Sequence, residues 1–420
     1  MNNTHHPDLK SWVEVPAGSD FTIQNLPYGI FKTDYVGPRV GVAIGDQILD
    51  LSQVATLRSF DDLDIDIKVF DKATLNDFIA LGKPVWSKVR ERVSELLREG
   101  SALAYESEKV LVPMEKATML LPVEVKNYTD FYSSEEHATN VGVMFRGKDN
   151  ALMPNWKHLP VGYHGRASSI VVSGTDIHRP KGQTMPPNAE TPVFGPSKRM
   201  DFELEMAFIV GDNTALGDTV SVAEAEDYIF GMVVFNDWSA RDIQKWEYVP
   251  LGPFLGKNFG SSVSPWIVTM EALEPFRVAG PEQEPKVLSY LQSEGDKAFD
   301  INLQVALEPE GKEETVISTS NFKYLYWNMA QQLAHHTING CNIEIGDMYA
   351  SGTISGKSPD SYGSMLELSW SGKQEIQLND GSSRTFLEDN DTVIMRGWCE
   401  KDGVRVGFGE VRSKLLPAKQ

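Results

Sequence analysis

Residues 200–210 have the sequence Met-Asp-Phe-Glu-Leu-Glu-Met-Ala-Phe-Ile-Val, in which acidic and apolar side chains alternate. At the two-residue period of a β-strand, one face carries Phe202, Leu204, Met206 and Phe208, and the other carries Asp201, Glu203, Glu205 and Ala207. A strand advances about 3.3 Å per residue, so Glu203 and Glu205 lie roughly 7 Å apart at the backbone and can reach one cation. The apolar neighbours indicate a buried sheet, where a carboxylate needs a cation, a partner or a proton. The pattern predicts a metal-binding strand, although a solvated acidic face has the same spacing.

A second apolar run also ends at an acidic residue. Residues 228–235, Tyr-Ile-Phe-Gly-Met-Val-Val-Phe, predict a core strand, and Asp237 follows two positions later. Asp237 therefore lies where a buried strand ends, which suits either a metal ligand or the start of a turn.

The residues after Asp237 predict a short helix. Ser239 is its expected N-cap, with Asp242 three residues later in a variant of the capping box. Helical spacing places Arg241, Gln244 and Tyr248 on one face, and Lys257 follows as a second positive group. Positive donors beside a metal site are what an oxygen-rich, anionic substrate requires.

Several candidate residues carry weak signals when taken alone. His137 alone is more often an ordinary histidine than a catalyst, and Arg241 alone more often pairs with a structural carboxylate. Glu367, in the sequence Gly-Ser-Met-Leu-Glu-Leu-Ser-Trp at residues 363–370, has the spacing of a strand residue that faces either solvent or a site.

Composition excludes some classes of partner. The chain has 420 residues, 41% of them hydrophobic and 23% charged, with a net charge of −20. This acidity argues against a nucleic-acid partner, which usually needs a basic face, but leaves room for an anionic small molecule at a local basic site. The two cysteines, Cys341 and Cys399, form neither a C-x-x-C pair nor a disulfide framework, which fits a reducing compartment.

Location is predicted from the first residues and from the length of the apolar runs. The start, Met-Asn-Asn-Thr-His-His-Pro-Asp, has no basic segment followed by an apolar one, so it does not predict a secretory signal. No apolar run approaches the roughly 18 residues of a membrane-spanning helix. We therefore expect a soluble, cytoplasmic protein without a membrane partner.

The first part of the chain predicts a small β-rich domain with a helical appendage. Short alternating runs occupy residues 28–31, 40–44 and 47–51, and Gly45-Asp46 predicts a hairpin turn between the last two. Thr74 is a possible helix cap, and residues 86–98 repeat apolar side chains at helical spacing.

From about residue 119 the chain becomes rich in glycine, proline and short strands, which predicts a large β-dominated domain. One helix is expected over residues 321–337, with Ser320 as N-cap and Asn339-Gly340 as the stop. The predicted domains are residues 1–118 and 119–420.

Taken together, the dense segments closely resemble the fumarylacetoacetate hydrolase (fumarylacetoacetase) family. The resemblance is carried by residues 129–134 (Thr-Asp-Phe-Tyr-Ser-Ser), 137–142 (His-Ala-Thr-Asn-Val-Gly), 160–169, 202–208, 236–244 (Asn-Asp-Trp-Ser-Ala-Arg-Asp-Ile-Gln), 246–257, 350–356 and 363–370. These segments cover most of residues 119–415 in order, and the amino-terminal part matches more loosely.

The resemblance implies a fold class that is mainly β with some α. A small SH3-like β-barrel domain would precede a large mixed β-roll catalytic domain that forms a homodimer. The implied reaction is metal-dependent hydrolysis of the carbon–carbon bond of 4-fumarylacetoacetate, a diketo-dicarboxylic acid, to fumarate and acetoacetate. This is the last step of tyrosine and phenylalanine catabolism.

The family's site residues can be carried over to matching positions. The implied ligands of a divalent ion, usually Ca²⁺, are Asp130, Glu203, Glu205 and Asp237; oxygen ligands of this kind suit a hard cation. A second, structural Mg²⁺ is implied near Asp237, Lys257 and Ser261. Relatives often have threonine at the position of Ser261, a difference of little consequence if the backbone oxygen is the ligand.

The resemblance also assigns chemistry and substrate contacts. It implies that His137 is the general base, oriented by Glu367, and that Arg241, Gln244 and Lys257 stabilise the tetrahedral oxyanion. The implied substrate contacts are Tyr132, Arg146, Tyr163, Gln244, Tyr248 and Thr353.

Two alternatives remain open at the level of sequence. A related acylpyruvate or oxo-acid hydrolase, decarboxylase or isomerase would share the carboxylates but generally lacks this amino-terminal domain and the set Tyr132, Gln244 and Tyr248. A calcium-stabilised binding protein without activity would have no need of His137, Glu367 and Lys257, and would leave them dispersed on the surface.

Overall fold

The amino-terminal part of the chain forms one antiparallel sheet flanked by helices, in a computed structural model that describes residues 3–420. Its strands are β1 (Tyr28–Lys32), β2 (Arg39–Ile44), β3 (Gln47–Asp50), β4 (Leu111–Pro113) and β5 (Thr118–Leu120), in the order β4-β3-β2-β1-β5. Its helices are α1 (Leu51–Thr56), α2 (Asn76–Ile79), α3 (Lys83–Leu97) and α4 (Ser107–Val110). The three predicted strands and the predicted helical stretch are confirmed.

The hairpin turn predicted at Gly45-Asp46 is confirmed, whereas the helix cap predicted at Thr74 was wrong. Ile44 pairs with Gln47 across the predicted hairpin turn, and Gly45 has a φ of +59°, which glycine adopts readily. Thr74 does not cap a helix, because α2 begins at Asn76 and has Leu75 as its N-cap.

The rest of the chain is dominated by short strands. They are β6 (Tyr128–Phe131), β7 (Gly162–His164), β8 (Ile170–Val172), β9 (Ile177–His178), β10 (Lys181–Thr184), β11 (Val193–Pro196), β12 (Met200–Asp201), β13 (Leu204–Val210), β14 (Ile229–Asp237), β15 (Ser239–Ala240), β16 (Ser261–Val263), β17 (Val268–Thr269), β18 (Arg277–Val278), β19 (Ala298–Phe299), β20 (Asn302–Glu308), β21 (Thr315–Asn321), β22 (Met348–Ala350), β23 (Ile376–Gln377), β24 (Ser383–Arg384), β25 (Thr392–Lys401) and β26 (Val404–Leu416). The helices between them are α5 (Glu135–Arg146), α6 (Arg241–Glu247), α7 (Met270–Leu273), α8 (Met329–Thr337) and α9 (Met365–Leu368). The predicted fold class, mainly β with some α, is confirmed.

The helix expected over residues 321–337 is shorter than predicted. Strand β21 continues to Asn321, and Ser320 lies buried in that strand instead of capping a helix. The helix begins at Met329, where Asn328 and Gln331 form a reciprocal capping box. Its predicted stop is confirmed, since Gly340 has a φ of +86°.

An eight-stranded sheet holds the strands that carry the acidic residues. Its order is β7-β6-β22-β13-β14-β16-β8, with β17 also paired to β14. Strands β13 and β14 are antiparallel, with Glu205 opposite Phe235. Strand β6 runs parallel to β22, with Asp130 beside Ala350. A five-stranded sheet of order β21-β20-β25-β26-β9 contacts β14 through β25 and β26.

The alternation predicted for residues 202–208 is confirmed by the two apolar cores. Leu204, Met206 and Phe208 belong to a core shared with the five-stranded sheet. Ala207 and Ile209 belong to a second core, which continues into the amino-terminal sheet and its helices. The acidic strand is therefore buried on both faces, as adjacent packed layers require.

Two further predictions concern the chain as a whole. The division between residues 118 and 119 falls inside β5, which pairs with β1, and the division itself stays a prediction. Within residues 3–420, no helix has both the length and the apolar character needed to cross a membrane.

Candidate active site

Four acidic side chains meet in the interior of the protein. One carboxylate oxygen from each of Asp130, Glu203, Glu205 and Asp237 lies within 4.8 Å of the others. Asp130 comes from β6, the two glutamates from β13 and the residue before it, and Asp237 from the end of β14. All four are buried. The sheet therefore brings together the four acidic residues that the sequence singled out.

This cluster has the properties of a cation site. Oδ1 of Asp130 and Oε1 of Glu205 are buried and lack a hydrogen-bond partner among the residues described. Burial and the neighbouring carboxylates raise the pKa of both groups well above the usual range. Unpaired oxygen ligands of like charge are stabilised by a divalent cation, and an all-oxygen donor set suits a hard one. The residues present thus fit the metal that the sequence predicted.

Glu203 forms ion pairs with two cationic side chains. Its Oε1 accepts a hydrogen bond from Nη1 of Arg241 at 2.6 Å, and its Oε2 accepts one from Nζ of Lys257 at 2.5 Å. Burial alone would raise the pKa of Glu203, but Lys257 and Arg241 together hold it below its usual value. Glu203 is therefore a carboxylate that stays ionised and joins the acidic cluster to the cationic side chains.

The residues implied at a second metal site also lie together. Lys257 Nζ donates to Asp237 Oδ2 at 2.7 Å, and Ser261 Oγ donates to Asp237 Oδ1 at 3.0 Å. The pKa of Lys257 is raised by Asp237 and Glu203 against the effect of burial, so the side chain is an ammonium without a lone pair. Lys257 can therefore serve a second cation only through its main-chain oxygen, and that Mg²⁺ site stays a prediction.

Arg241 begins helix α6 and is held on three sides. Its Nε donates to Asp201 at 2.7 Å, and its Nη1 donates to Glu203 and also to Gln244 Oε1 at 3.3 Å. Its Nη2 is buried without a protein partner in the described part of the chain. The predicted cap was wrong, because Ser239 lies in β15 and its Oγ donates to the carbonyl oxygen of Asp237. The predicted helical face is nevertheless present, and it offers a free guanidinium nitrogen.

His137 and Glu367 form a buried hydrogen-bonded pair. Nδ1 of His137 lies 2.6 Å from Oε2 of Glu367, and both residues are almost inaccessible to solvent. His137 is in the first turn of α5, where Ser134 is the N-cap and accepts a hydrogen bond from the His137 amide. Glu367 lies in α9, so its predicted position on a strand was wrong.

Further polar groups hold the Glu367 carboxylate and were not found from the sequence. Asn140 Nδ2 donates to Oε1 at 2.9 Å, and the hydroxyls of Ser355 and Ser364 donate to Oε2 at 2.9 Å each. Burial opposes ionisation, but His137, Asn140 and Ser364 lower the pKa of Glu367. Of these three residues, only Asn140 could have been identified from local spacing in the sequence, because it lies one helical turn after His137.

A cavity of about 450 Å³ connects His137, the cationic side chains and two carboxylates of the acidic cluster. It is lined by His137, Arg241, Lys257, Asp130 and Glu203 and by all six predicted substrate contacts, Tyr132, Arg146, Tyr163, Gln244, Tyr248 and Thr353. Arg146 is exposed at its edge and donates to the carbonyl oxygens of Asn150 and Ala151. The hydroxyl of Thr353 is buried without a partner among residues 3–420. One cavity therefore contains a base, positive donors and acidic oxygens.

Comparison with known proteins is consistent with this arrangement. Residues 126–415 match the family model described as fumarylacetoacetate (FAA) hydrolase C-terminal, and residues 24–122 match the one described as fumarylacetoacetase N-terminal. The fumarylacetoacetase of Bos taurus is 56% identical over 414 residues, covering 97% of this chain and 99% of the relative. The fumarylacetoacetase of Caenorhabditis elegans is 56% identical over 417 residues, covering 98% and 100%.

A solved structure shows the same fold at low sequence identity. Fumarylacetoacetate hydrolase from Exiguobacterium antarcticum aligns with a TM-score of 0.54 and 17% identity, covering 94% of this chain and 100% of that chain. At this identity the likeness concerns the fold alone.

Proposed function

The chain belongs to the fumarylacetoacetase family, and on this premise we propose that it hydrolyses the carbon–carbon bond of 4-fumarylacetoacetate to give fumarate and acetoacetate. The proposal rests on a cavity lined by His137, which pairs with Glu367, by the Arg241 guanidinium, and by two members of the cluster of four buried carboxylates, Asp130 and Glu203. A diketone hydrolase needs these elements: a base for water, donors for an oxyanion and a site for a cation.

The cation would be held by Asp130, Glu203, Glu205 and Asp237. A bound divalent ion would supply Lewis-acid polarisation of the diketone oxygens and would offset the charge that develops on them. We propose Ca²⁺ for this position because every donor is an oxygen, with Mg²⁺ near Asp237 as a second, structural ion.

His137 is the proposed base for the attacking water. Its Nδ1 faces Glu367, so Nε2 is the ring nitrogen left to accept a proton. The Glu367 carboxylate, fixed by Asn140, Ser355 and Ser364, stabilises the imidazolium that forms. The water oxygen then bonds to the carbonyl carbon on the fumaroyl side of the substrate.

Arg241, Gln244 and Lys257 would stabilise the oxyanion that this attack creates. The Arg241 Nη2 atom is buried and has no hydrogen-bond acceptor among the residues described, and a charge-assisted hydrogen bond is strongest in such a position. When the tetrahedral carbon collapses, the carbon–carbon bond breaks and its electron pair passes to the acetoacetate carbon. That carbon takes the proton from the His137 imidazolium, which restores the base and leaves fumarate and acetoacetate.

The alternatives that the sequence left open are less well supported. A binding protein without activity would leave His137, Glu367 and Lys257 on the surface. All three are buried instead: His137 and Lys257 line one cavity, and Glu367 contacts His137. For an oxo-acid hydrolase of another kind, the set Tyr132, Gln244 and Tyr248 would be absent, whereas these three side chains line the same cavity.

The assembly and location of the protein are proposed from family membership. We infer a homodimer in the cytoplasm. Light scattering coupled to gel filtration tests the first statement, since a mass of one chain, 46.8 kDa, would contradict it.

The reaction itself is tested by following the loss of diketone absorbance with chelator-treated protein. We expect cleavage to fumarate and acetoacetate when Ca²⁺ or Mg²⁺ is added back, and little without it. Cleavage that persists after thorough chelation would remove the cation from the proposal. Absence of cleavage with every ion would reject fumarylacetoacetate as the substrate.

A further inference from the structure

Asp201 is a buried carboxylate that lies outside the acidic cluster. It is 0% exposed and precedes Glu203 by two residues, yet it is not among the four residues whose oxygens converge. It belongs to β12, which pairs with β15 rather than with the eight-stranded sheet. A carboxylate at 0% exposure needs a full set of partners, and those partners identify its role.

Four hydrogen-bond donors from three separate segments meet at Asp201. Oδ2 accepts from Nε of Arg241 at 2.7 Å and from the amide of Leu366 at 3.0 Å. Oδ1 accepts from the amides of Met365 at 2.7 Å and Phe202 at 2.8 Å. Both oxygens are thus fully used, and Asp201 directly connects the Arg241 side chain to the backbone of α9.

The contact with Arg241 fixes which guanidinium nitrogen is free. Nε donates to Asp201 and Nη1 donates to Glu203 and Gln244, so among residues 3–420 only Nη2 has no partner. Glu203 is shared with Lys257 and, under the proposed function, with the cation. Within residues 3–420, Asp201 pairs with no cationic side chain other than Arg241, so its charge serves Arg241 alone.

The contact with α9 fixes the position of Glu367. Met365 and Leu366 are the first two residues of this helix, whose amides have no partner within the helix itself. Asp201 accepts from both, and the hydroxyl of Ser364 accepts from the amide of Glu367. The backbone that carries Glu367 is therefore anchored to the carboxylate that orients Arg241.

From this geometry we propose that Asp201 is a positioning residue, which sets the oxyanion donor Arg241 and the base-orienting Glu367 relative to each other. The proposal rests on the proposed function. Asp201 neither lines the cavity nor belongs to the acidic cluster. It acts through Arg241, which lines the cavity, and through Glu367, which holds His137.

The test is the substitution Asp201→Asn, compared with Asp391→Asn. Because all four partners of Asp201 are donors, the NH₂ group of an amide faces donors in either orientation. Asp391 is the matched control, since it is also buried and also binds an arginine, Arg384, and a backbone amide, that of Glu388. We expect kcat of Asp201→Asn to fall about 10- to 100-fold through misplacement of both groups, whereas kcat of the control stays within about twofold of wild type.

Further readouts separate positioning from general destabilisation. We expect KM of Asp201→Asn to change little, which would mean that the substitution weakens interactions made in the transition state. The rise in melting temperature on adding Ca²⁺ should persist in Asp201→Asn, because the cation cluster is intact. In an Arg241→Ala background, Asp201→Asn should lower kcat by a smaller factor than it does in wild type. A purely structural role would lower kcat by the same factor in both backgrounds.

Each failure has a distinct meaning. A folded Asp201→Asn protein with wild-type kcat rejects the positioning role and leaves the proposed function standing. A wild-type protein without turnover rejects the proposed function. If Asp201→Asn does not fold, Asp201→Glu replaces it, since the added methylene displaces the carboxylate while keeping its charge; wild-type kcat in that variant also rejects the proposal.

Discussion

Nδ1 of His137 lies 2.6 Å from Oε2 of Glu367, although the two residues are 230 positions apart in the chain. Three further donors fix the carboxylate, so the imidazole has one defined orientation and presents its other nitrogen away from Glu367. This relationship supports the first prediction.

The substitution Glu367→Gln should lower kcat about 10²- to 10⁴-fold, because the amide cannot stabilise the imidazolium as a carboxylate does. His137→Ala should lower it at least as far. Steady-state assays at saturating Ca²⁺ measure both effects, and an unchanged Ca²⁺-induced rise in melting temperature shows that the cation site is intact. Wild-type turnover in His137→Ala with metal bound would exclude the histidine as base.

Glu205→Gln should abolish the stabilisation by added cation without destabilising the cation-free protein. The Glu205 Oε1 atom has no partner among residues 3–420, and the other carboxylates surround it, so removal of its charge relieves repulsion. In wild type, cation at 100 times its dissociation constant stabilises by about 2.7 kcal/mol. Melting temperatures with and without Ca²⁺ test this. A large loss of stability in the cation-free variant, or a preserved Ca²⁺ response, would contradict the proposed site.

Thr353→Val should separate substrate binding from stability. The Thr353 hydroxyl is buried at the cavity without a protein partner in the described chain, so its removal should leave the melting temperature equal or slightly higher. A lost hydrogen bond to substrate should raise KM about 3- to 10-fold. Thr353→Ser, which keeps the hydroxyl, should retain a KM near wild type. A lower melting temperature with normal KM would mean that the hydroxyl serves the fold.

His336 should make the protein less stable as the pH falls. Burial, with smaller effects from His164 and His335, lowers the pKa of His336 from 6.5 to about 4. As the pH falls, His336 is protonated near pH 6.5 in the unfolded chain but only near pH 4 in the folded chain. The free energy of unfolding is therefore unaffected by His336 above pH 6.5 and decreases between pH 6.5 and pH 4. At about 1.4 kcal/mol per pKa unit, and allowing for partial exposure, the loss is roughly 2 kcal/mol.

The variant His336→Asn isolates that contribution. Its amide group can still form a hydrogen bond with the Tyr349 hydroxyl, which lies 2.6 Å from Nδ1 of His336, but it does not titrate. Denaturant unfolding near pH 7 and near pH 4.5 should show a smaller loss of stability in the variant than in wild type. Equal losses in both proteins would assign the pH dependence to other groups.

Local patterns predicted those elements whose neighbours agree with them. Residues 202–208 alternate at a strict period of two, and both cores use that alternation. The helix predicted over residues 321–337 began too early because Phe322, Leu325 and Tyr326 continue the helical spacing of apolar side chains. Asn321 instead ends β21, opposite Asn302, and Phe322–Tyr324 forms a short 3₁₀ turn. The helix in fact begins at Met329, where Asn328 and Gln331 form a capping box. This local signal predicts the start of the helix better than the stripe of apolar side chains does.

The sequence by itself indicated that Glu203, Glu205 and Asp237 would be buried, because alternation and apolar neighbours are properties of a few adjacent residues. It also determined that Arg241 and Gln244 share a helical face, since helical spacing is local. Only the tertiary structure decided how the segments meet. The hydrogen bonds of Asp201 to Met365 and of His137 to Glu367 depend on sheet order and packing over distances of 164 and 230 residues, which no local period encodes.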